Sequence, residues 1–299
     1  MGGTVIKHIL VPESGLGFDA NLLEDAFKLA RPFSAHVDVL HVRWEPRLDL
    51  PFYGQGFPLQ MLDSVIREAE QSAQAASLAA RNMFEKVSAA ASVPVTASSG
   101  EDGPVTAEWR EIAGPAARII GAEARTADLT VLSRLSGKFS DLEILEGALL
   151  ESGRPVLLRG GDMAGVSASI VIAWDGSLAA ARAVAFAQDF IARADLVTIL
   201  VVEDDAEDAP TTAVAGRPHP RSEHLVKHLA WHGIDAFVLA VKREGRSVGE
   251  ALAATAAEMK ASLLVMGGYG HSCLREIVLG GATRHMLNHP IDCPVLLAH

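Results

Sequence analysis

The sequence predicts an α/β fold built from two tandem doubly wound parallel sheets, each of about five strands with helices on both faces. Three observations predict it. Short β-branched runs alternate with helical patterns, the signature of parallel strands joined by crossover helices. Several runs are apolar almost throughout, as at residues 196–202 (LVTILVV), which suits strands covered on both faces. The chain also repeats itself, as two domains built to one plan would. Its 299 residues are ample for two sizeable cores.

The repeat can be followed element by element. Residues 8–12 (HILVP) form a first strand that ends in a turn at 13–15, and residues 169–173 (SIVIA) form another that ends in WDGS at 174–177. An Ala-rich amphipathic stretch follows each, at 21–31 and 178–193, and then a second apolar run, at 36–42 and 196–202. The first half next has a long helix over 59–91, rich in Ala, Glu, Gln and Arg; the second has a shorter one over 221–233, stopped by Gly233. Residues 126–132 match 260–266, and 153–158 match 292–297. A Gly-rich linker at 160–166 (GGDMAGV) separates domains expected at 1–160 and 166–299.

Composition excludes several functions. The net charge of -11 leaves no basic footprint for nucleic acid and makes an anionic membrane surface a poor partner. Two cysteines, Cys273 and Cys293, form no disulfide framework and fit a reducing cytosol. The N-terminus does not read as a secretory signal, and no run of about 18 apolar residues occurs. A cytoplasmic protein is expected.

The densest functional signal follows the apolar run 263–265. Gly267, Gly268 and Gly270 come first; Gly280 and Gly281 follow, ahead of a helix expected at 284–288. A doubly wound sheet binds ligands beyond the carboxyl ends of its strands, where the strand order switches direction. Bare backbone lets a ligand approach closely, and a helix N-terminus offers free N–H groups to phosphate. Thr283 could add a hydroxyl donor or cap the helix. Any tight strand-to-helix turn also needs glycine, so both readings stand on the residues alone.

The pattern Gly267-x2-Gly270-x9-Gly280-Gly281 lies between the strands LLVM and CPVLL. With IVIAWDGS at 170–177, it resembles the universal stress protein family, whose nucleotide-binding members carry Gly-x2-Gly-x9-Gly-(Ser/Thr). The resemblance covers both halves and implies a tandem member with adenine-nucleotide α-hydrolase-like domains. It implies a stress-response regulatory protein that binds ATP, with AMP or ADP as alternatives, without a dedicated catalytic centre. Carried over residue by residue, it puts Ala173 and Asp175 near the ribose or adenine. Val201 and Met266 would line the adenine slot, and Gly267, Gly270, Gly280, Gly281, Ala282 and Thr283 would wrap the ribose and phosphates. Single-domain members commonly dimerise through the last strand, so PVLL at 155–158 and PVLL at 294–297 are expected to meet, with a homodimer possible in addition.

Two departures stand out. Gly281 occupies the position of the family's Ser/Thr, so a phosphate loses one hydroxyl donor. The first half has Ser14 at the Asp position and Ser133 to Ser136 in place of the glycine loop. The gap from Gly147 to Pro155 is 8 residues (155 − 147), against 13 from Gly281 to Pro294 (294 − 281). The first half is therefore expected to have lost its nucleotide site and to serve packing or partner recognition.

Other readings compete with a regulatory role. A slow ATP hydrolase would need a positioned water and Mg2+ with a cationic stabiliser, and only Arg275 and Arg284 lie near the glycines. A scaffold with both sites decayed is the third reading. His224, His228 and His232 share a helix face, as do His285 and His289, but no carboxylate or thiol completes a metal site and none is assigned. Cys273, beside His271, reads as an ordinary loop residue. Glu13 and the acidic run at 203–205 read as solvated turns.

Overall fold

The computed structural model describes residues 6–14, 17–48, 59–97, 103–134, 139–203, 222–268, 281–289 and 291–299. Among these residues lie ten strands, five from each half of the sequence. They fall into two compact units, one of described residues 6–133 and 139–152, the other of Arg134 with residues 153–299.

The first unit holds β1 (His8–Ser14), β2 (His36–Arg43), β3 (Thr106–Ala113) and β4 (Leu129–Leu132), parallel and in the order β3-β2-β1-β4. Helix α1 (Ala20–Ala30) starts at Asp19, whose carboxylate accepts the N–H groups of Asn21 and Leu22, each at 3.1 Å. That N-cap satisfies two donors the helix cannot pair itself. The long helix is present as α2 (Leu59–Ala90). Helix α3 (Ala116–Glu123) and helix α4 (Phe139–Glu146) follow, and α4 continues as a π-turn over Gly147–Glu151.

One polar network sits inside this unit. Asp38 on β2 is only 3% exposed. Its carboxylate takes Arg110 Nε from β3 at 3.0 and 2.9 Å and lies 3.5 Å from His8 Nε2, and Arg110 also reaches Glu123 at 2.8 Å. Burial alone would raise the Asp38 pKa, but His8 and Arg110 outweigh it and hold the carboxyl below its usual value.

The second unit has six strands. They are β5 (Val156–Leu158), β6 (Ser169–Ala173), β7 (Leu196–Glu203), β8 (Ala236–Lys242), β9 (Leu263–Gly267) and β10 (Val295–Ala298), in the order β5-β10-β9-β6-β7-β8. All pairs are parallel except β5 with β10, where the two closing runs of the repeat meet antiparallel and Leu157 opposes Leu296. The last strand of the first repeat thus completes the unit formed by the second.

The helices of this unit refine the sequence reading. The stretch 178–193 is two helices, α5 (Leu178–Phe186) and α6 (Gln188–Ile191), broken at Ala187 so that Phe190 and Ile191 are both buried. Helix α7 (Ser222–Trp231) precedes β8. Helix α8 (Val248–Glu258) starts with a capping box between Ser247 and Glu250. The final helix, α9, spans Gly281–Asn288 and so begins three residues before the expected 284. Its first turn packs on α8: a Cβ at Gly249 would stand 3.2 Å from the Ala282 Cα and 2.4 Å from the His285 Cβ. Only glycine at 249 lets the two helices come so close.

Candidate functional site

The strand order of the second unit reverses direction at β6. From β6 the chain steps outward to β7 and β8, then returns to β9 on the other flank, with Ile172 of β6 paired to Val265 of β9. The carboxyl ends of β6 and β9 therefore border the crevice where doubly wound sheets bind ligands. Ala173, Asp175, Met266 and Gly267 all stand at those two ends, and Val201 lies near the end of the adjacent β7. Ala173, Val201 and Met266 are buried, at 9%, 6% and 4% exposure; Ala173 pairs with Leu200, so Val201 belongs to the other face of the sheet. The crevice thus gathers five of the residues singled out in the sequence.

The polar groups around it have identifiable local causes. The Trp174 N–H donates to the Leu200 carbonyl at 2.9 Å and ends β6 against β7. Asp175 is exposed, and its carboxylate accepts the Ser177 N–H at 2.9 Å. Gly176 takes the left-handed conformation this turn requires, with φ at 72°. The Ser177 hydroxyl then accepts the Ala180 N–H at 3.1 Å and caps α5. Asp175 is thus a turn former whose side chain stays at the surface of the crevice. The Trp174 indole Nε1 is buried and has no hydrogen-bond partner, an orphaned donor at the same strand end.

The glycines separate into two kinds. A Cβ on Gly267 would lie 2.7 Å from the Ala180 nitrogen and 2.9 Å from the Ala179 Cβ. Its bareness is required by the first turn of α5, whatever else it does. Gly281 is exposed, has nothing within 4 Å of a Cβ, and is not at positive φ. It opens α9, whose free N–H groups lie at this end. Ala282 is half-buried and Thr283 only 3% exposed, so the threonine hydroxyl faces packed protein. Gly270 and Gly280 lie outside the described residues, as do His271, Cys273 and Arg275.

The far end of α9 is held by a residue the sequence reading passed over. Arg134 donates through Nη1 to the Met286 carbonyl at 2.9 Å, and through Nη2 to the Ile291 and Cys293 carbonyls at 3.1 and 2.9 Å. Burial lowers its pKa from the usual guanidinium range. A cation at a helix C-terminus also suits the helix dipole. The signal in the sequence is a lone arginine two residues after a buried strand, where the second repeat has Gly268. Cys293 is 4% exposed, and burial pushes its thiol up to about 11, which leaves it unreactive.

The corresponding strand ends of the first unit carry different chemistry. Ser133 Oγ donates to Asp19 at 2.5 Å, and the Asp19 N–H reaches Glu13 at 3.3 Å. Glu13 is not a solvated turn residue. It is 8% exposed, and burial pushes its carboxyl up to about 8 although the Asp19 N–H bond works the other way. Its register partner His41 is 1% exposed, stacks on Trp109 with ring centroids 5.4 Å apart, and has no partner for either ring nitrogen. Gly147 is a packing glycine: a Cβ there would lie 2.4 Å from the Ala117 carbonyl oxygen of α3. Ser136 lies outside the described residues.

Two further features fall away from the crevice. A cleft of about 450 Å³, lined by Asp162, Lys260, Ser262 and Asp292 among others, sits at the amino ends of β6, β9 and β10. Doubly wound sheets bind at the opposite end. The histidine pairs pack on each other, His228 with His232 at 5.0 Å and His285 with His289 at 4.1 Å between ring centroids. Among the described residues no three potential ligands group as a metal site.

A doubly wound α/β domain with its crevice between β6 and β9 is the class that this geometry defines. Residues 168–299 match the universal stress protein family, and this half of the chain is a domain of that family. Over its length the chain is similar in structure to a universal stress protein from Archaeoglobus fulgidus DSM 4304, with 19% identity, 97% of each chain covered and a TM-score of 0.61. It is similar as well to a functionally unknown protein from Pseudomonas aeruginosa PAO1, with 15% identity, 98% of this chain and 92% of that one covered, and a TM-score of 0.55. No curated protein matches the chain.

Proposed function

We propose that the chain is a tandem stress-response protein of the cytoplasm that binds ATP, or AMP or ADP, in its C-terminal domain (166–299) and passes occupancy to partners without a dedicated catalytic centre. The observation that carries this reading is the convergence at the β6/β9 switch point. The buried Ala173 and Met266, with Val201 on the neighbouring strand, and the surface carboxylate of Asp175 stand at the carboxyl ends of β6, β9 and β7, and α9 opens at the exposed Gly281 ahead of β10. The orphaned Trp174 donor supports a polar ligand there. Asp175 would take ribose hydroxyls, while Gly267, Ala282 and the α9 N–H groups would face the sugar and phosphates, with Gly270 and Gly280 beside them. Thr283, buried, is the least suited of the proposed contacts.

The N-terminal domain (1–160) is proposed to bind no nucleotide and to serve packing or recognition. The end of β1 is closed by the buried Glu13, which accepts the Asp19 N–H, where the second unit has an exposed turn at Asp175. Mg2+ would matter only if bound ATP were turned over. Purified protein, denatured and assayed by mass spectrometry, should release an adenine nucleotide; calorimetric titration with ATP should then give one site per chain. Failure of the nucleotide-free protein to bind ATP, AMP or ADP would leave the scaffold reading.

A further inference from the structure

Strand β8 closes the second unit on one side, and among the described residues no strand pairs with its outer edge. Such an edge is a template for another chain, and proteins blunt it with charge, proline or a bulge. The edge strand of the first unit is blunted: β3 carries Glu108, Arg110 and Glu111, and a bridge between Val95 and Ala107 covers its start. Strand β8 has neither proline nor bulge, and its one charge, Lys242, is its last residue. Its first six residues, AFVLAV, are apolar, and Phe237 and Val238 are 64% and 45% exposed, on opposite faces of the sheet. Trp231, at the end of α7 just before it, is 82% exposed.

The charges at the two ends of β8 choose the occupant. Asp235 precedes the strand, Lys242 ends it and Arg243 follows, its Nε donating to the Arg246 carbonyl at 3.0 Å. A second copy laid antiparallel about a two-fold axis normal to the sheet keeps each residue on its own face. Opposed residues therefore share a face, and their numbers have an even sum. Centred on Leu239, this register sets Asp235 against Arg243 at both ends (235 + 243 = 2 × 239) and Phe237 against Val241 between them. Opposite charges and apolar cross-strand pairs are what stabilise an antiparallel pair. A parallel pairing would align like charges instead. The arrangement is self-complementary and closes at two copies, so it does not propagate into a fibre.

We infer that β8 is a homodimer edge: two copies of this chain pair β8 to β8 antiparallel, with Asp235 facing Arg243 of the second copy. This surface lies on the third strand of the domain and is separate from the β5–β10 pair.

Analytical ultracentrifugation of the full chain tests it. The wild type should sediment as a dimer at micromolar concentration. Val238→Lys and Asp235→Arg should each raise the dimer Kd by about tenfold or more, with circular dichroism unchanged. The double variant Asp235→Arg/Arg243→Asp should restore dimerisation, because it exchanges the charges without changing the register. A monomeric wild type overturns the inference. So does a dimer that Val238→Lys leaves intact, since its interface would lie elsewhere. A double variant no tighter than Asp235→Arg alone overturns the register. Should Val238→Lys unfold the chain, the surface change Asp235→Arg and its reversal carry the test.

Discussion

The Arg134 guanidinium donates to the Cys293 carbonyl at 2.9 Å, although 159 residues separate the two in sequence. Arginine at this position follows β4 in the first repeat, where the second repeat has a glycine after its matching strand. The segment after β4 has thus supplied a clamp on the turn after α9, the helix whose other end opens the proposed phosphate site.

Arg134→Met should remove three charge-assisted hydrogen bonds while keeping most of the side-chain volume. We expect a loss of about 2–4 kcal/mol in urea unfolding, less than the sum of three separate bonds because the carbonyls can regain water. ATP affinity should fall as well if α9 shifts. An unfolding midpoint equal to the wild type would show that the carbonyls do not depend on this residue.

Glu13 gives the protein an unusual pH response. Its folded-state pKa is about 8, above the ordinary 4.5, so between those values the folded chain holds a proton that the unfolded chain releases. The stability this contributes is complete below pH 4.5 and is lost as pH rises through about 8. Glu13→Gln should flatten the decline and make the variant the more stable protein at pH 8.5. Parallel curves for the two proteins across this range would contradict a buried neutral carboxyl.

His41 acts in the other direction. Burial lowers its pKa, so its contribution is present above pH 6.5 and is lost as pH falls through the depressed folded value. In His41→Phe, the wild type's loss of stability on acidification below pH 6.5 should be reduced. The check is thermal unfolding at pH 7.5 and pH 5.5.

Gly267→Ala should destabilise the nucleotide-free protein, because its Cβ would meet the backbone of α5 at 2.7 Å. The cost of such overpacking is about 1–3 kcal/mol. Differential scanning calorimetry without ligand measures it. A normal transition would mean that α5 yields at little cost.

Gly281→Ser is the opposite case. A Cβ there meets nothing within 4 Å and the backbone is not at positive φ, so the substitution is free of strain. If a phosphate lies at the start of α9, the new hydroxyl should tighten ATP binding by about 1 kcal/mol, or roughly fivefold in Kd. Unchanged affinity in a calorimetric titration would place the phosphates elsewhere.

Much of the architecture is legible in the sequence because burial on both sheet faces leaves near-continuous apolar runs. Residues 196–202 and 263–266 declare themselves as strands in this way. The third strands do not. Sequence TAEWREIA hides β3 because its position at a sheet edge tolerates charge, and β8 is apolar but follows no alternation. The site is legible in part: Asp175, Met266 and Gly267 stand at the expected strand ends, yet the reason for Gly267 is the turn of α5, a contact across 87 residues (267 − 180) that no local pattern encodes. Glu13, His41 and Arg134 escape notice for the same reason, since their roles arise from what the tertiary fold packs around them.

The antiparallel pair of Leu158 with Val295 has a consequence in time. These residues are 137 positions apart (295 − 158). On a ribosome adding about 5–20 residues per second, β5 waits roughly 7–27 s for its partner strand to be made. Through that interval it is an apolar segment with no neighbour on the β10 side, able to pair with the same segment on an adjacent nascent chain. Stalled chains ending near residue 200 should therefore associate on polysomes, and Leu157→Lys should suppress that association. The order of synthesis makes the last strand of the protein the one that releases the first repeat from this exposure.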